Sequence, residues 1–596
     1  MGHFIGTIDP HNERRAQFAR QAQRELQSSC GSPAKTFEHG DLAMVSWAEP
    51  WEPSHQTESA AGVGFVWGHA AERGKSFGTT PDLAQLWGEL PERMPAQLEG
   101  FHSAFLYRAD GSWTAGADFS GFVPVYYFRG KDYVIVGSSP ELFRAHPDFH
   151  ATIDPAGLAG ILLTNGLIGG RSLLQGVQRL ESGNLLHARH GQPLRELAQY
   201  RPETSDRYFG ASFEENYQRM RELLDDGFRR HLKQDSAYGL LLSGGLDSRL
   251  MAALMKRCGA QFTAFTFGDP GDIEMRCALA VAGELHLRHR TVPIRTDRYL
   301  EYAERECKWK HLANGFSSIM FHEPIVEAGE MGGGMLSGFH MEGIIGFSHS
   351  AWAGDDQGTM SFANFFRKAN RWGMPIPVVK RLLAKNFDTA VVDEVVREAE
   401  DIYNGYSERE FQRAWLFDLH HRIRCHTSVI LGLHSRWPWP VAPYFDTAMM
   451  ELMGGMPYAH VRDRRMQVHM LKEEFTNLAR IPLDRNSFYR KPMLPRFGRQ
   501  ADRVLYKIGE MYDRGLQRFR ERRFYYRTMD FDGPGWNTVR EAAEPYRAKA
   551  SQIFDESALA EVLPRPGVRA VVPDAIIDTA KMKCMVGLLL WLRSYA

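Results

Sequence analysis

The chain has 596 residues, room for at least two cores at the roughly 100–200 residues a domain usually holds. Its 72 Lys and Arg balance 72 Asp and Glu, so bulk charge gives no reason to expect a nucleic-acid or anionic-membrane binder. Hydrophobic residues at 43% and aromatics at 12% exclude a disordered chain. Cys30, Cys258, Cys277, Cys307, Cys425 and Cys584 form no CxxC pair and read as reduced thiols. Residues 1–20 lack an apolar signal core, and Gly6 stands where a myristoylation signal carries Ser or Thr. The longest terminal apolar run, Met585 to Leu592, is far short of a membrane span. A soluble cytoplasmic protein is the expectation.

Short β-branched and aromatic runs punctuated by Gly, Asp or Pro mark the first part as β-rich: Val63–Trp67, Ala104–Tyr107, Val123–Tyr127 and Tyr133–Val136. A polar stretch, Tyr200–Ser205, breaks the pattern, and Ser212-Phe213-Glu214-Glu215 is a capping box that opens a helix running to about Lys233. The boundary falls in that linker, giving units 1–205 and 206–596. Beyond it strand and helix alternate: Ala237–Leu242, a glycine turn, the helix Arg249–Arg257, the strand Phe262–Phe267 and the helix Met275–Leu285. Arg290–Ile294 and Gly334–Leu336 are further strand candidates, and helix patterns dominate from Ser361. Repeated β-α-β order predicts an α/β fold with a helix-covered parallel sheet.

Most informative is the run Leu240 to Arg249. Leu240, Leu241 and Leu242 close an apolar strand, Ser243, Gly244 and Gly245 follow, and Leu246, Asp247 and Ser248 lead straight into a helix. Two glycines let backbone approach an anion closely, and their amides face the positive end of the helix dipole. Asp247 would repel phosphate unless a Mg²⁺ ion stood between them. The Gly-Lys-Ser/Thr of a Walker A loop is missing, so γ-phosphate transfer is not expected.

This strand–loop–helix resembles the pyrophosphatase-type loop of the asparagine synthetase superfamily, enzymes that cleave ATP between the α- and β-phosphates to adenylate a carboxylate. The resemblance implies a C-terminal α/β PP-loop synthetase domain with extra helices, binding ATP and Mg²⁺. Its nucleotide site would draw on Leu241, Ser243, Gly244, Gly245, Leu246, Asp247, Ser248 and Phe267. The family's second carboxylate segment is matched by Gly268 to Glu274, with Asp272 at the family position, Asp269 as alternative and a helix-cap role open for either. The third segment, Ser-Gly-x-Gly-x-Asp in the family, is Ser337-Gly338-Phe339-His340-Met341-Glu342 here. Gly338 is kept, and Glu342 replaces the aspartate that is the second Mg²⁺ ligand beside Asp247. Phe339 replaces a catalytic glutamate or tyrosine, and His340 is either a substitute base or a packing histidine. Val441 to Asp446 resembles the family's Arg-Val-Pro-Phe-Leu-Asp segment, with Arg436 nearby. Lys491 follows Asp446 at about the spacing of the family's catalytic lysine, which neutralises charge as pyrophosphate leaves.

Gly100–Phe105, Asp118–Tyr127, Ser138–Glu141 and Ser182–Asn184 resemble the family's glutaminase domain, implying an Ntn-hydrolase-like (class II glutamine amidotransferase-like) N-terminal domain. Glutaminases carry a nucleophilic cysteine after the initiator Met, where this chain has Gly2. The resemblance therefore implies a scaffold without ammonia release and a ligase whose amine belongs to the substrate. Phe339 speaks against the tyrosine-dependent β-lactam synthetases. Arg514, Arg518, Arg520, Arg522, Arg523, Phe524, Tyr525 and Tyr526 suit a larger substrate, unless they form a solvated helix face. The resulting expectation is a lasso peptide cyclase joining a core peptide's N-terminal amine to an Asp or Glu side chain. Its partners would be a precursor peptide and a leader-binding protein or leader peptidase, with no nucleic acid and no membrane. A small-molecule ligase and an inactive scaffold remain alternatives, and His420, His421, Cys425 and His426 make a zinc site thinkable.

Overall fold

The computed structural model describes residues 3–593 apart from 30–32, 49–51, 79, 89–96, 190–191, 199, 317, 324, 326–330, 356, 435–437, 484–491, 496–499, 502–503, 505–506, 509–510, 512–522 and 575. Two six-stranded antiparallel sheets lie between His3 and Ala198. The two-residue period of strands explains their stacking. Phe4, Leu42, Met44 and Val136 of one sheet meet Phe65, Phe105 and Trp113 of the other, and Phe4 stacks on Trp67 with ring centres 4.0 Å apart. Their neighbours Ile5, Ala43, Val45 and Ile135 face the opposite way, against Phe18, Ala22 and Leu26 of the helix Asn12–Ser29. The outer face of the second sheet is covered at Val66, Ala104 and Leu106 by Leu83 and Trp87.

The expected strand Val123–Tyr127 is a strand only from Tyr126 to Arg129. Pro124 lacks a donor for the ladder, and the chain crosses it as a loop. The capping box forms as read: Glu215 N–H donates to Ser212 Oγ at 3.2 Å, and Ser212 N–H donates to Glu215 Oε2 at 2.7 Å. It opens the helix Phe213–His231.

Beyond it runs an all-parallel five-stranded sheet in the order Arg288–Val292, Gln261–Phe267, Ala237–Leu241, Met335–Leu336, Pro440–Val441. The third chain-order strand begins two residues before its expected start. Strand order reverses beside Ala237–Leu241, and open α/β sheets bind ligands in the crevice above such a switch point. The two halves share cores. One apolar cluster joins Ile5, Phe18 and Leu158 to Met585, Leu589 and Trp591, and another joins Phe65 and Phe105 to Leu240, Leu250 and Phe445. No helix among the described residues is long and apolar enough to cross a membrane.

The helix Ala580–Leu592 carries a buried cation in the first of these cores. Lys583 Nζ donates to the Met529 carbonyl at 2.8 Å and lies 4.9 Å from the Trp536 ring centre, and burial pushes its pKa down to about 7. The unfolded chain keeps that proton to about pH 10, so between about pH 7 and 10 it holds more protons than the folded chain and stability rises with pH. In thermal melts, the Tm of Lys583→Met minus that of wild type is expected to fall as pH rises through this window. A difference independent of pH contradicts the assignment.

Candidate active site

The glycine turn stands at the switch point, between the strand Ala237–Leu241 and the helix Leu246–Arg257. Gly244 has φ +75°, and a Cβ there would sit 2.5 Å from Cys277 Cβ and 2.6 Å from Ala278 N. Only glycine fits. Gly245 is the N-cap residue and supplies no capping side chain, so first-turn amides stay available to an anion. Hydroxyls knit the turn: Ser243 N–H donates to Ser248 Oγ at 3.2 Å, and Gly245 N–H to Ser243 Oγ at 3.2 Å. Arg249, fully buried, braces it from behind by donating to the carbonyls of Gly244 at 2.8 Å and of Leu478, Ile481 and Pro482 at 2.7 Å each.

The third segment is seated directly on this helix. A Cβ on Gly338 would lie 2.6 Å from Asp247 Cβ, and Tyr444 Oη donates to the Ser337 carbonyl at 2.7 Å. That contact carries Glu342, in the short helix Met341–Ile344, towards Asp247. Both carboxylates meet one cation, the guanidinium of Arg464: its Nη2 pairs with Asp247 Oδ2, and its Nη1 lies 3.9 Å from Glu342 Oε2. Gln467 Nε2 donates to the other Asp247 oxygen at 2.8 Å. Asp463 (φ +56°) and Arg464 (φ +61°) are consecutive left-handed residues, each costing about 1 kcal/mol or more, and the reach of Arg464 depends on them. Burial raises the pKa of Asp247, Arg464 opposes that shift, and the like charge of Glu342 adds to it. Burial also works against the Arg464 charge, but the two carboxylates outweigh it and its pKa is raised.

Two carboxylates converging on one positive centre beside a phosphate-sized glycine turn are a donor set suited to magnesium. The residues present therefore fit the ion, which Asp247 and Glu342 would hold. Arg464→Ala leaves the pair facing each other, and the ligand-free chain is expected to lose about 1–3 kcal/mol. Added Mg²⁺ should raise the melting temperature of that variant more than that of wild type, as scanning calorimetry with and without chelator will show.

Leu241 and Phe267 lie in an apolar patch with Phe265, Met331 and Phe339. Phe339 sets its ring edge-on to Phe321 at 5.8 Å and is an apolar neighbour of the crevice. Asp272 occupies the N-cap position of the helix Ile273–Glu284 but makes no capping bond. Its Oδ2 accepts from Asp269 N–H at 2.7 Å and pairs with Arg527 Nη2 at 2.6 Å, so its charge is already matched from the C-terminal segment. Arg523 is likewise buried against Glu274, and Phe524 N–H donates to Glu274 Oε2 at 3.2 Å. This end of the arginine and aromatic run is packed, while Arg514, Arg518, Arg520 and Arg522 lie outside the described residues. Asp446 is bound by Arg230 and by His231 Nε2 at 2.8 Å.

His340 is a correction to the base reading. It is fully buried, stacked on Phe445 and tilted against Phe101 with ring centres 5.5 Å away in each case, and its Nε2 meets Ser428 Oγ at 2.9 Å. Burial lowers its pKa to about 3. A ring so enclosed packs the core and faces no substrate. Lys491 and Arg436 lie outside the described residues. The helix of His420, His421, Cys425 and His426 is π-helical from Asp418 to Thr427, and no group of three or more metal-binding side chains stands together among the described residues. Arg249, Arg464 and Gln467 were not legible as site residues. The basic run Arg462 to Arg465 was the one sequence signal for Arg464.

The sequence model of the asparagine synthase family matches residues 219–318, the stretch that contains the glycine turn. Asparagine synthetase B (glutamine-hydrolyzing) of Escherichia coli is 33% identical over 87 residues, 12% of this chain and 16% of that protein. A putative asparagine synthetase of Mycobacterium bovis is 30% identical over 138 residues, 22% of this chain and 20% of that protein. The chain thus spans a fifth or less of the length of these curated relatives. A solved NH3-dependent NAD synthetase from Campylobacter jejuni overlaps 33% of this chain and 98% of its own, at 15% identity and a TM-score of 0.18. Through the region around its glycine turn, the chain is similar to the asparagine synthetase family.

Proposed function

We propose that the chain is an ATP-dependent amide-bond-forming ligase that releases AMP and pyrophosphate. The observation that carries this reading is the convergence of Asp247 and Glu342 on one cation beside the glycine turn at the sheet's switch point. In the proposed reaction a substrate carboxylate oxygen attacks the α-phosphorus of ATP and the bond to the β-phosphate breaks. A substrate amine then attacks the acyl carbon, loses a proton, and AMP leaves with the C–O electron pair. Gly244, Gly245 and the helix N-terminus bind the phosphates, and Ser243 and Ser248 hold the turn in shape. A magnesium ion on Asp247 and Glu342 would screen the phosphate oxygens, and Arg464 adds positive charge at the same place. Lys491 is the proposed counter-charge for the departing pyrophosphate.

The finer reading is a lasso peptide cyclase. Gly2 at the position of the glutaminase cysteine supports a substrate that brings its own amine, and the apolar Phe339 speaks against a tyrosine-dependent β-lactam synthetase. The proposed partners are a precursor peptide and a leader-binding protein or leader peptidase. One observation favours a second reading, an inactive scaffold: Arg464 already satisfies Asp247.

The test is to incubate the full chain with ATP, Mg²⁺ and synthetic peptides carrying a free N-terminus and an internal Asp or Glu. Pyrophosphate and AMP are expected in equal amounts, with a peptide product lighter by one water in mass spectrometry. ADP and phosphate, or no nucleotide turnover with any peptide, would remove the ligase.

A further inference from the structure

A small cavity of about 50 Å³, room for a few waters or one small planar group, lies against the segments 164–168 and 421–426. Its walls are mainly aromatic, with Trp352, Phe365, Trp372 and Phe417 among them. Two polar side chains on these walls have no hydrogen-bond partner among the described residues, the half-buried Arg422 and the buried Asn165. Arg422 lies between two indoles, 5.1 Å from the Trp352 ring centre and 4.8 Å from that of Trp372. Among the described residues its guanidinium makes no hydrogen bond and no ion pair. Asn165 is 4% exposed, and neither its amide nitrogen nor its amide oxygen has a partner.

The aim of Asn165 is fixed. It ends the helix Pro155–Thr164 at φ +59°, and a Cβ on Gly315 would fall 1.5 Å from its Oδ1, so glycine alone leaves it space. The cavity's charge is also defined. His421 and His426 are held neutral by burial, with pKa values of about 4 and about 3, which leaves Arg422 as the standing cation on these walls. Burial presses the Arg422 pKa down, and the acids close enough to oppose it are Asp418 and Glu342. Asp418 is already engaged by His349 Nδ1 at 3.0 Å. Glu342 acts on the charges of both Arg422 and Asp247.

We propose that this cavity is a carboxylate subsite, taking the side-chain carboxylate of an aspartyl or glutamyl substrate with its oxygens on the Arg422 guanidinium and the Asn165 amide. A planar carboxylate matches the guanidinium fork, and the indole faces fit its plane. Calling the occupant a substrate rests on the ligase reading, but its binding does not.

N-acetylglutamate is the probe, titrated calorimetrically into the full chain beside its neutral counterpart N-acetylglutamine, with ATP·Mg²⁺ titrated separately. Saturable binding of the carboxylate is expected, with the amide weaker by at least about 10-fold. Arg422→Gln and Asn165→Gly should each weaken the carboxylate by about 10-fold or more and leave ATP affinity within about twofold. Glycine tolerates the Asn165 backbone, so that variant tests the amide without strain. Equal binding of acid and amide, unchanged affinity in both variants, or no saturable binding by wild type overturns the subsite. Failure of ATP to bind wild type overturns the ligase reading and leaves the carboxylate result standing.

Discussion

Replacing Asp247 by asparagine is expected to lower ATP-dependent pyrophosphate release by about 100-fold or more, with the fold intact. Asparagine keeps an oxygen for the Gln467 amide but loses the charge that pairs with Arg464 and that would hold magnesium. The amide leaves the Arg464 charge matched only by Glu342 at 3.9 Å, so a modest fall in melting temperature accompanies the loss of activity. Asp247 also sets a pH signature. Activity requires the ionised form, and because burial raises the Asp247 pKa, activity should begin to fall above the usual aspartate range as pH is lowered. Pyrophosphate assays from pH 5 to 8, with Glu342→Gln in parallel, measure both effects. Wild-type rates in the two variants together would remove the metal-bridged nucleotide site.

The second large effect is expected at Gly244. Alanine there must take a left-handed φ of +75° and place its methyl 2.5 Å from Cys277 Cβ, against the backbone of the helix Ile273–Glu284. The two penalties together amount to about 3 kcal/mol or more, and the turn cannot keep its shape. Gly245→Ala is the matched control. Its φ is −68°, and the nearest atom to an added Cβ is Ser243 Oγ at 3.2 Å. Stability there should change by less than about 1 kcal/mol. Denaturant melts and ATP titrations of both variants check the contrast. Equal behaviour would mean that the turn is not held against the neighbouring helix.

The parts of this protein legible in its sequence are those whose cause is local. The Ser212 capping box, the apolar strand before Ser243 and the glycine turn each lie within a few residues of what determines them. Pro124 should have excluded a strand over Val123–Val125 on the same grounds. What escaped is what the chain brings from far away: Gln467 and Arg249 bind partners more than 200 residues distant. Arg464 reaches Asp247 only through a left-handed kink that its own residue type disfavours. His340 failed for a related reason. Its neighbours in sequence resemble a catalytic segment, but Phe101 and Phe445, which enclose it, come from other parts of the fold.

The apolar clusters that run through both halves bear on how such a chain changes over generations. A β-rich half whose Ile5 and Phe18 share a core with Trp591 cannot be discarded without exposing that core. Cutting it away would open a wide oily face on the remaining half, so inheritance of the whole is enforced by wetting.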